Sequence, residues 1–567
     1  MSFLANILKR RGDRLFAKGN FKAALERYTR AIALDDSNAT LWTNRSACHL
    51  SLKQYLNACG DASKARALDI DPKHYKAYVR LATAQDTFKT YLPSSRSWEW
   101  ALDAMPKENL TPAQEKQKIE YTTRLGKALL NFLEMSTIPL EGPLSERYGN
   151  EESGYPWDVA ASLVAGLREK RNAKSSAWVI TYAAKEYDEG VRRMKTAYIK
   201  TDENGVERCG RVGCWCMDGE EDAFALVCDG MLLDIRCTHF KPVNEWISAH
   251  NTCGTLERQR HNPWIGLGPD HVKREMPIRV QKLGWDRARP DFDLTIRFWL
   301  LRGMVECVAD DNILLDAEYA KQALNLLEWG REKFRDVSVE EKGEIFDDTF
   351  IRSVRNHCIR TMITVYAMSK KADSDRAEWL EPAMQQVDLM LQELENDPGP
   401  REPSWVEGER DPGWFLSNYD YLKGHAYSCK AFYHSDLASA RSGDEQAINN
   451  KIAARFYVQA AECYPIDDED CAKYLNCAFQ HATRPPGCTV GEALDLANRA
   501  RDAYDASGKI WRAHPTRRRQ EAEESHQALM DQTRVLQTAL DTSLTTHDSM
   551  ISQFTPPIGV SIGTILC

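Results

Sequence analysis

Ala24-Leu25-Glu26-Arg27-Tyr28-Thr29-Arg30-Ala31-Ile32-Ala33-Leu34-Asp35-Asp36 carries a spacing that recurs along the chain. Ala24, Tyr28, Ala31 and Asp36 stand at offsets of four, three and five, and Ser94, Trp98, Ala101 and Pro106 repeat those offsets. Between the two runs, Ala58, Ala62 and Ala65 keep the pattern, with Pro72 about two residues late. On a helix, these spacings gather small residues and one aromatic on a single face. The small residues let a second helix come close, the aromatic fills the remaining gap, and proline ends the helix. Such self-similarity over residues 3–106 predicts stacked helical hairpins, with first helices near 3–18, 39–52 and 74–90.

The block resembles the tetratricopeptide repeat (TPR) family. That resemblance implies a curved array whose inner surface is lined by the first helix of each pair. Residues 1–90 carry sixteen Lys and Arg against eight Asp and Glu, whereas the whole chain has a net charge of −9. A basic module on an acidic protein points to a local anionic ligand rather than to nucleic acid. Lys9, Asn44, Lys76 and Arg80 resemble the two-carboxylate clamp with which TPR co-chaperones grip the C-terminal Glu-Glu-Val-Asp peptide of heat-shock chaperones. By that resemblance Lys9 and Asn44 hold the terminal carboxylate. Lys76 and Arg80, four apart on one helix face, take the aspartate side chain and peptide backbone. Asp13 departs from the pattern by standing where the family has an asparagine. An acid one turn from Lys9 is expected to pair with it and to repel an incoming carboxylate.

The rest of the 567 residues divides by texture. After the TPR array at 1–106, Thr111-Pro112-Ala113-Gln114 opens a capping helix over 107–136, with Ile119, Leu125, Leu129, Phe132 and Leu133 as its apolar face. A helical connector over 137–200 precedes a β-containing, Cys/His-rich insert at 201–290. There Phe224–Cys228 and Met231–Cys237, split by Asp229-Gly230, read as a strand hairpin. Helices return over 291–400, up to a Pro-rich internal boundary near 397–412. Ala453, Tyr457, Ala460 and Pro465, then Ala493, Ala497, Ala500 and Asp505, restore the repeat offsets within a degenerate TPR-like region at 401–545. A flexible tail is expected at 546–567. The fold class is therefore all-α, with a TPR-type α-solenoid at the amino end, a small β-containing insert, and a further helical array at the carboxyl end.

No run of about 18 apolar residues is present, so no membrane-spanning helix is expected. The start of the chain goes directly into helix without a signal pattern. Sixteen cysteines lie scattered without a disulfide framework, which favours a reducing, cytoplasmic setting, with the nucleus also open. Cys214 and Cys216, and Cys237 and His239, are each two apart and could face one way on strands as zinc ligands, although the usual two-residue spacer is missing. No phosphate loop, dinucleotide fingerprint or metalloprotease motif occurs, and no cofactor is expected. The reading is a non-enzymatic, co-chaperone-like interaction module whose partner is the acidic C-terminal peptide of a heat-shock chaperone, without nucleic acid or membrane. Two alternatives stand beside it: a scaffold joining non-chaperone partners, and a metal-dependent enzyme targeted by its TPR block.

Overall fold

Two asparagines set the amino-terminal hairpins in register. Asn20 accepts from the Ala23 amide at 3.2 Å and Asn38 from the Thr40 amide at 3.2 Å, each satisfying an N–H that a first helical turn leaves free. Gly19, at a φ of 75°, makes the reversal between the first two helices, a backbone conformation that costs glycine little. The computed structural model describes residues 2–67, 75–88, 90–136, 155–202, 205–206, 216–240, 243–265, 267–310, 312–369, 377–400, 403–405, 411–512 and 517–551.

Its longer helices are α1 (Ser2–Ala17), α2 (Phe21–Leu34), α3 (Ala39–Ser51), α4 (Tyr55–Ala67), α5 (Tyr75–Thr87), α6 (Tyr91–Ala104) and α7 (Pro112–Ser136). There follow α8 (Pro156–Glu169), α9 (Ser176–Met194), α10 (Ala223–Leu233), α11 (Val243–Arg260), α12 (Pro269–Leu283), α13 (Trp285–Asp310) and α14 (Ile313–Lys333). The last seven are α15 (Asp348–Met368), α16 (Ala377–Asn396), α17 (Tyr421–Ala440), α18 (Gly443–Cys463), α19 (Glu469–Thr483), α20 (Val490–Trp511) and α21 (Arg517–Asp541). Strand structure among the described residues is limited to two short antiparallel ladders. Tyr198–Ile199 pairs with Met217–Asp218, and Thr201–Asp202 with Gly205–Val206. The chain forms two compact units, residues 1–140 with 257–347, and 141–256 with 348–567.

In the first unit the repeat residues do what their spacing predicts. Ala24, Tyr28 and Ala31 on α2, Ala58, Ala62 and Ala65 on α4, and Ser94, Trp98 and Ala101 on α6 are all buried. A Cβ at Gly12 would meet the Tyr28 ring at 2.7 Å, so the glycine allows α1 to close onto α2. At α7 the reciprocal cap forms: the Thr111 amide donates to Gln114 Oε1 at 3.0 Å, and the Gln114 amide donates to Thr111 Oγ1 at 3.3 Å. The buried stripe of that helix differs from the expected one. Tyr121, Leu125 and Ala128 pack with Val79 and Trp98, while Ile119 and Leu129 face solvent. Ile119 lies two residues from Tyr121 and so on nearly the opposite side of the helix. The inserted half of the unit seats α12 against α4, where a Cβ at Gly60 would fall 2.5 Å from the Gly268 amide nitrogen.

The second unit corrects one expectation outright. Residues Phe224–Cys228 and Met231–Cys237 are not a strand hairpin; they lie in α10 and a following 3-10 turn, Ile235–Cys237. Gly230 is there for close approach rather than for a turn, since a Cβ on it would meet the Tyr187 amide nitrogen at 2.7 Å. On the facing helix, a Cβ at Gly190 would meet the Val227 nitrogen at 2.5 Å. Gly230→Ala is therefore expected to destabilise this unit by about 1–3 kcal/mol through overpacking. Gly126 on α7, with open space where its Cβ would be, is the contrasting site. There alanine should stabilise by up to about 1 kcal/mol. Urea unfolding of the two variants checks both signs, and a shift in the same direction for both would refute the packing account.

The repeat reasserts itself in α17 to α20, which follow one another as packed antiparallel neighbours. Ala453, Tyr457 and Ala460 are buried on α18, as are Ala493, Ala497 and Ala500 on α20. The Pro-rich segment read as a boundary lies inside this unit rather than at its edge. Part of the supposed tail is tied down. The Val490, Gly491 and Ile551 amides donate to Ser549, His547 and Cys488 carbonyls, each at 2.9 Å. Residues 552–567 fall outside the described part of the chain.

Candidate functional site

The first helices of the three amino-terminal pairs, α1, α3 and α5, lie side by side. Lys9 and Asp13 sit one turn apart on α1, Asn44 on α3, and Lys76 and Arg80 one turn apart on α5. The structure brings the first three together around a single carboxylate. Lys9 Nζ donates to Asp13 Oδ2 at 3.0 Å. Asn44 Nδ2 donates to Asp13 Oδ1 at 3.1 Å, and the Tyr28 hydroxyl donates to the same oxygen at 2.7 Å. Burial first, and then the bond to Asp13, push the Tyr28 phenol well above its ordinary value, so it remains a donor at neutral pH.

Tyr28 is the member of this group that sequence reasoning missed. Its ring was accounted for as the aromatic of the repeat, and the only available signal was that a buried tyrosine hydroxyl needs a partner. Which partner it finds depends on how α2 packs on α1, a relation not carried by spacing along either helix.

The α5 pair is different in kind. Arg80 is half-buried, and its Nε is shielded from solvent with no hydrogen-bond partner. Burial lowers the guanidinium from its ordinary value, and the neighbours that counter this are the Tyr121 phenol and the Cys48 thiol. Both are themselves raised mainly by burial, Cys48 to about 12, so both are neutral near pH 7. Arg80 thus carries a positive charge with no counter-ion among the described residues. Lys76 is exposed on the turn before it, likewise without an ion pair among the described residues. An anionic oxygen brought to this turn would find a guanidinium already partly desolvated and without an ion pair among the described residues.

Among the described residues the zinc candidates do not assemble. Cys237 is buried and donates its thiol to the Ile180 carbonyl at 3.3 Å, and burial raises it well above its usual value, disfavouring the thiolate a metal requires. His239 turns its Nε2 to Asp188 Oδ1 at 2.7 Å and stacks on Tyr155 and Trp157. Cys216 is half-buried, and Cys214 lies outside the described residues. Among the described residues no group of three His, Cys, Asp or Glu side chains is disposed to hold a metal ion. The cysteines of this region are in part simply core, as Cys228 and Cys253 show.

Comparison with known proteins agrees with the repeat reading. Residues 12–50 match the TPR repeat model. Dynein axonemal assembly factor 4 of Pongo pygmaeus is 37% identical over 109 residues, 18% of this chain and 26% of that protein. The heat shock protein sti1 homolog of Schizosaccharomyces pombe is 43% identical over 68 residues, 12% of each. These matches thus span about a quarter or less of the relatives' own lengths. Among solved structures, the first TPR of Spaghetti (RPAP3) bound to HSP90 peptide SRMEEVD is 25% identical, covering 22% of this chain and 96% of that one, with a TM-score of 0.20. No described helix is long and apolar enough to cross a membrane.

Proposed function

The amino-terminal block is a tetratricopeptide-repeat array, a protein-interaction module, and on that premise we propose that it docks the acidic C-terminal peptide of a heat-shock chaperone. The observation that carries this reading is Arg80, a partly buried guanidinium without a counter-ion beside an exposed Lys76. A protein that keeps such a group forgoes stability at that position, and an anionic ligand is what would offset the loss. The basic surplus of the first 90 residues steers the same class of ligand toward the array. The partial match to a heat shock protein sti1 homolog adds support for a chaperone as its source. On this reading the chain is a cytoplasmic, co-chaperone-like adaptor that works without catalysis or cofactor.

Charge-assisted hydrogen bonds of this kind each contribute about 1.5–3 kcal/mol. Two or three of them, with backbone contacts, reach the ~8 kcal/mol of a micromolar complex. The test is a fluorescence-anisotropy titration of the intact chain with a labelled Glu-Glu-Val-Asp peptide at low and high salt. Saturable, micromolar binding that weakens as salt rises is the expected result. No saturation, or equal binding of a Gln-Gln-Val-Asn amide peptide, would overturn it.

A further inference from the structure

Asp13 turns the arrangement on α1 and α3 into something other than a receptor for an incoming carboxylate. Three donors, Lys9 Nζ, Asn44 Nδ2 and the Tyr28 hydroxyl, converge on its two oxygens at 3.0, 3.1 and 2.7 Å. The charge of Lys9 is met within its own helix, and the neutral donor on α3 is spent on the same group. A second carboxylate arriving there would face Asp13 at close range, in a groove where water screens the repulsion less than in bulk. On α5 the balance is reversed, with two cations and no acid paired to either among the described residues.

We propose that Asp13 is a specificity-determining residue: it fills the Lys9–Asn44 half of the array with the chain's own carboxylate, so that the array reads acidic side chains through Lys76 and Arg80 and is indifferent to a free peptide C-terminus. This rests on the acidic-peptide reading above and shifts what is recognised from a chain terminus to acidic side chains. An acidic segment in the interior of a partner's chain satisfies the site as well as a terminal one does. The Tyr28 hydroxyl on α2 holds the same oxygen, Oδ1, that accepts from Asn44 on α3.

The experiment compares three peptides on the intact protein: Glu-Glu-Val-Asp as the free acid, the same peptide as its C-terminal amide, and a Gln-Gln-Val-Asn amide. For the unaltered chain, the first two should bind within about two-fold of each other, and the third at least about ten-fold more weakly. In Asp13→Asn, the free acid should gain at least about five-fold while the amide changes little, because an amide acceptor there no longer repels the terminus and Lys9 and Asn44 are released. A preference of the unaltered chain for the free acid of about ten-fold or more would overturn the assignment while leaving acidic-peptide docking intact. Equal tightening of acid and amide in Asp13→Asn would overturn it as well, since Asp13 would then act only as a general repulsive charge. Equal binding of all three peptides, or none, would remove the acidic-peptide reading and this inference with it. The comparison on the unaltered chain decides the matter even where the variant fails to fold.

Discussion

Arg80→Met loses acidic-peptide binding and gains stability. The loss follows from removing a partly buried guanidinium whose Nε lacks an acceptor, worth about 1.5–3 kcal/mol or roughly a 10- to 150-fold rise in Kd. The gain follows from the same fact viewed in the free protein. Arg80 Nε is buried without a partner, and a half-buried cation without an ion pair among the described residues is replaced there by an apolar side chain of similar length. Loss of a merely structural residue would instead lower the melting temperature and leave affinity unchanged. Thermal melts and peptide titrations of the same preparation separate the two cases.

The second large effect belongs to the other unit. Asp468→Ala should destabilise it by about 3–5 kcal/mol, because it removes a buried charge-assisted pair, a tyrosine hydrogen bond and a helix cap together. Arg236 reaches Asp468 at 2.8 and 2.9 Å and Asp234 at 2.6 Å, with side-chain exposures of 8%, 0% and 6% for Arg236, Asp468 and Asp234. Asp468 also accepts from the Tyr421 hydroxyl at 2.6 Å and caps α19 by accepting from the Asp470 amide at 2.8 Å. Alanine strands Arg236 Nη1, the Tyr421 hydroxyl and the Asp470 amide at once, and leaves Asp234 to balance the guanidinium. Tyr421→Phe, which removes a single neutral donor, should cost only about 0.5–1.5 kcal/mol. Urea unfolding followed at the midpoint measures both, and comparable losses for the two variants would show that the network is not held by its charges.

How far the sequence reached depends on where the deciding contact lies. The four-three-five offsets predicted which alanines and aromatics are buried on α2, α4, α6, α18 and α20, because that pattern is written along single helices. The Thr111–Gln114 cap was legible for the same reason. Residues Phe224–Cys237 read as strands because short apolar runs have no period to separate strand from helix, and Gly230 after Asp229 imitates a turn. What fixes Gly230 is the backbone of Tyr187, more than forty residues earlier in the chain. At the site, Lys9, Asp13 and Asn44 were identifiable, and the pairing of Lys9 with Asp13 was expected from their spacing. The contribution of Tyr28 was not, since it crosses between helices. Nor was the isolation of Arg80, for the lack of a counter-ion is a property of everything packed around a residue rather than of the residue itself.

In the docked complex the cation on α5 should grip an acidic side chain of the peptide. A double-mutant cycle measures that contact alone: affinities of the intact chain and Arg80→Ala for the Glu-Glu-Val-Asp amide and for its Asp→Asn counterpart. A coupling of about 1 kcal/mol or more between Arg80 and the peptide aspartate is predicted. Additive losses, with coupling near zero, would contradict it.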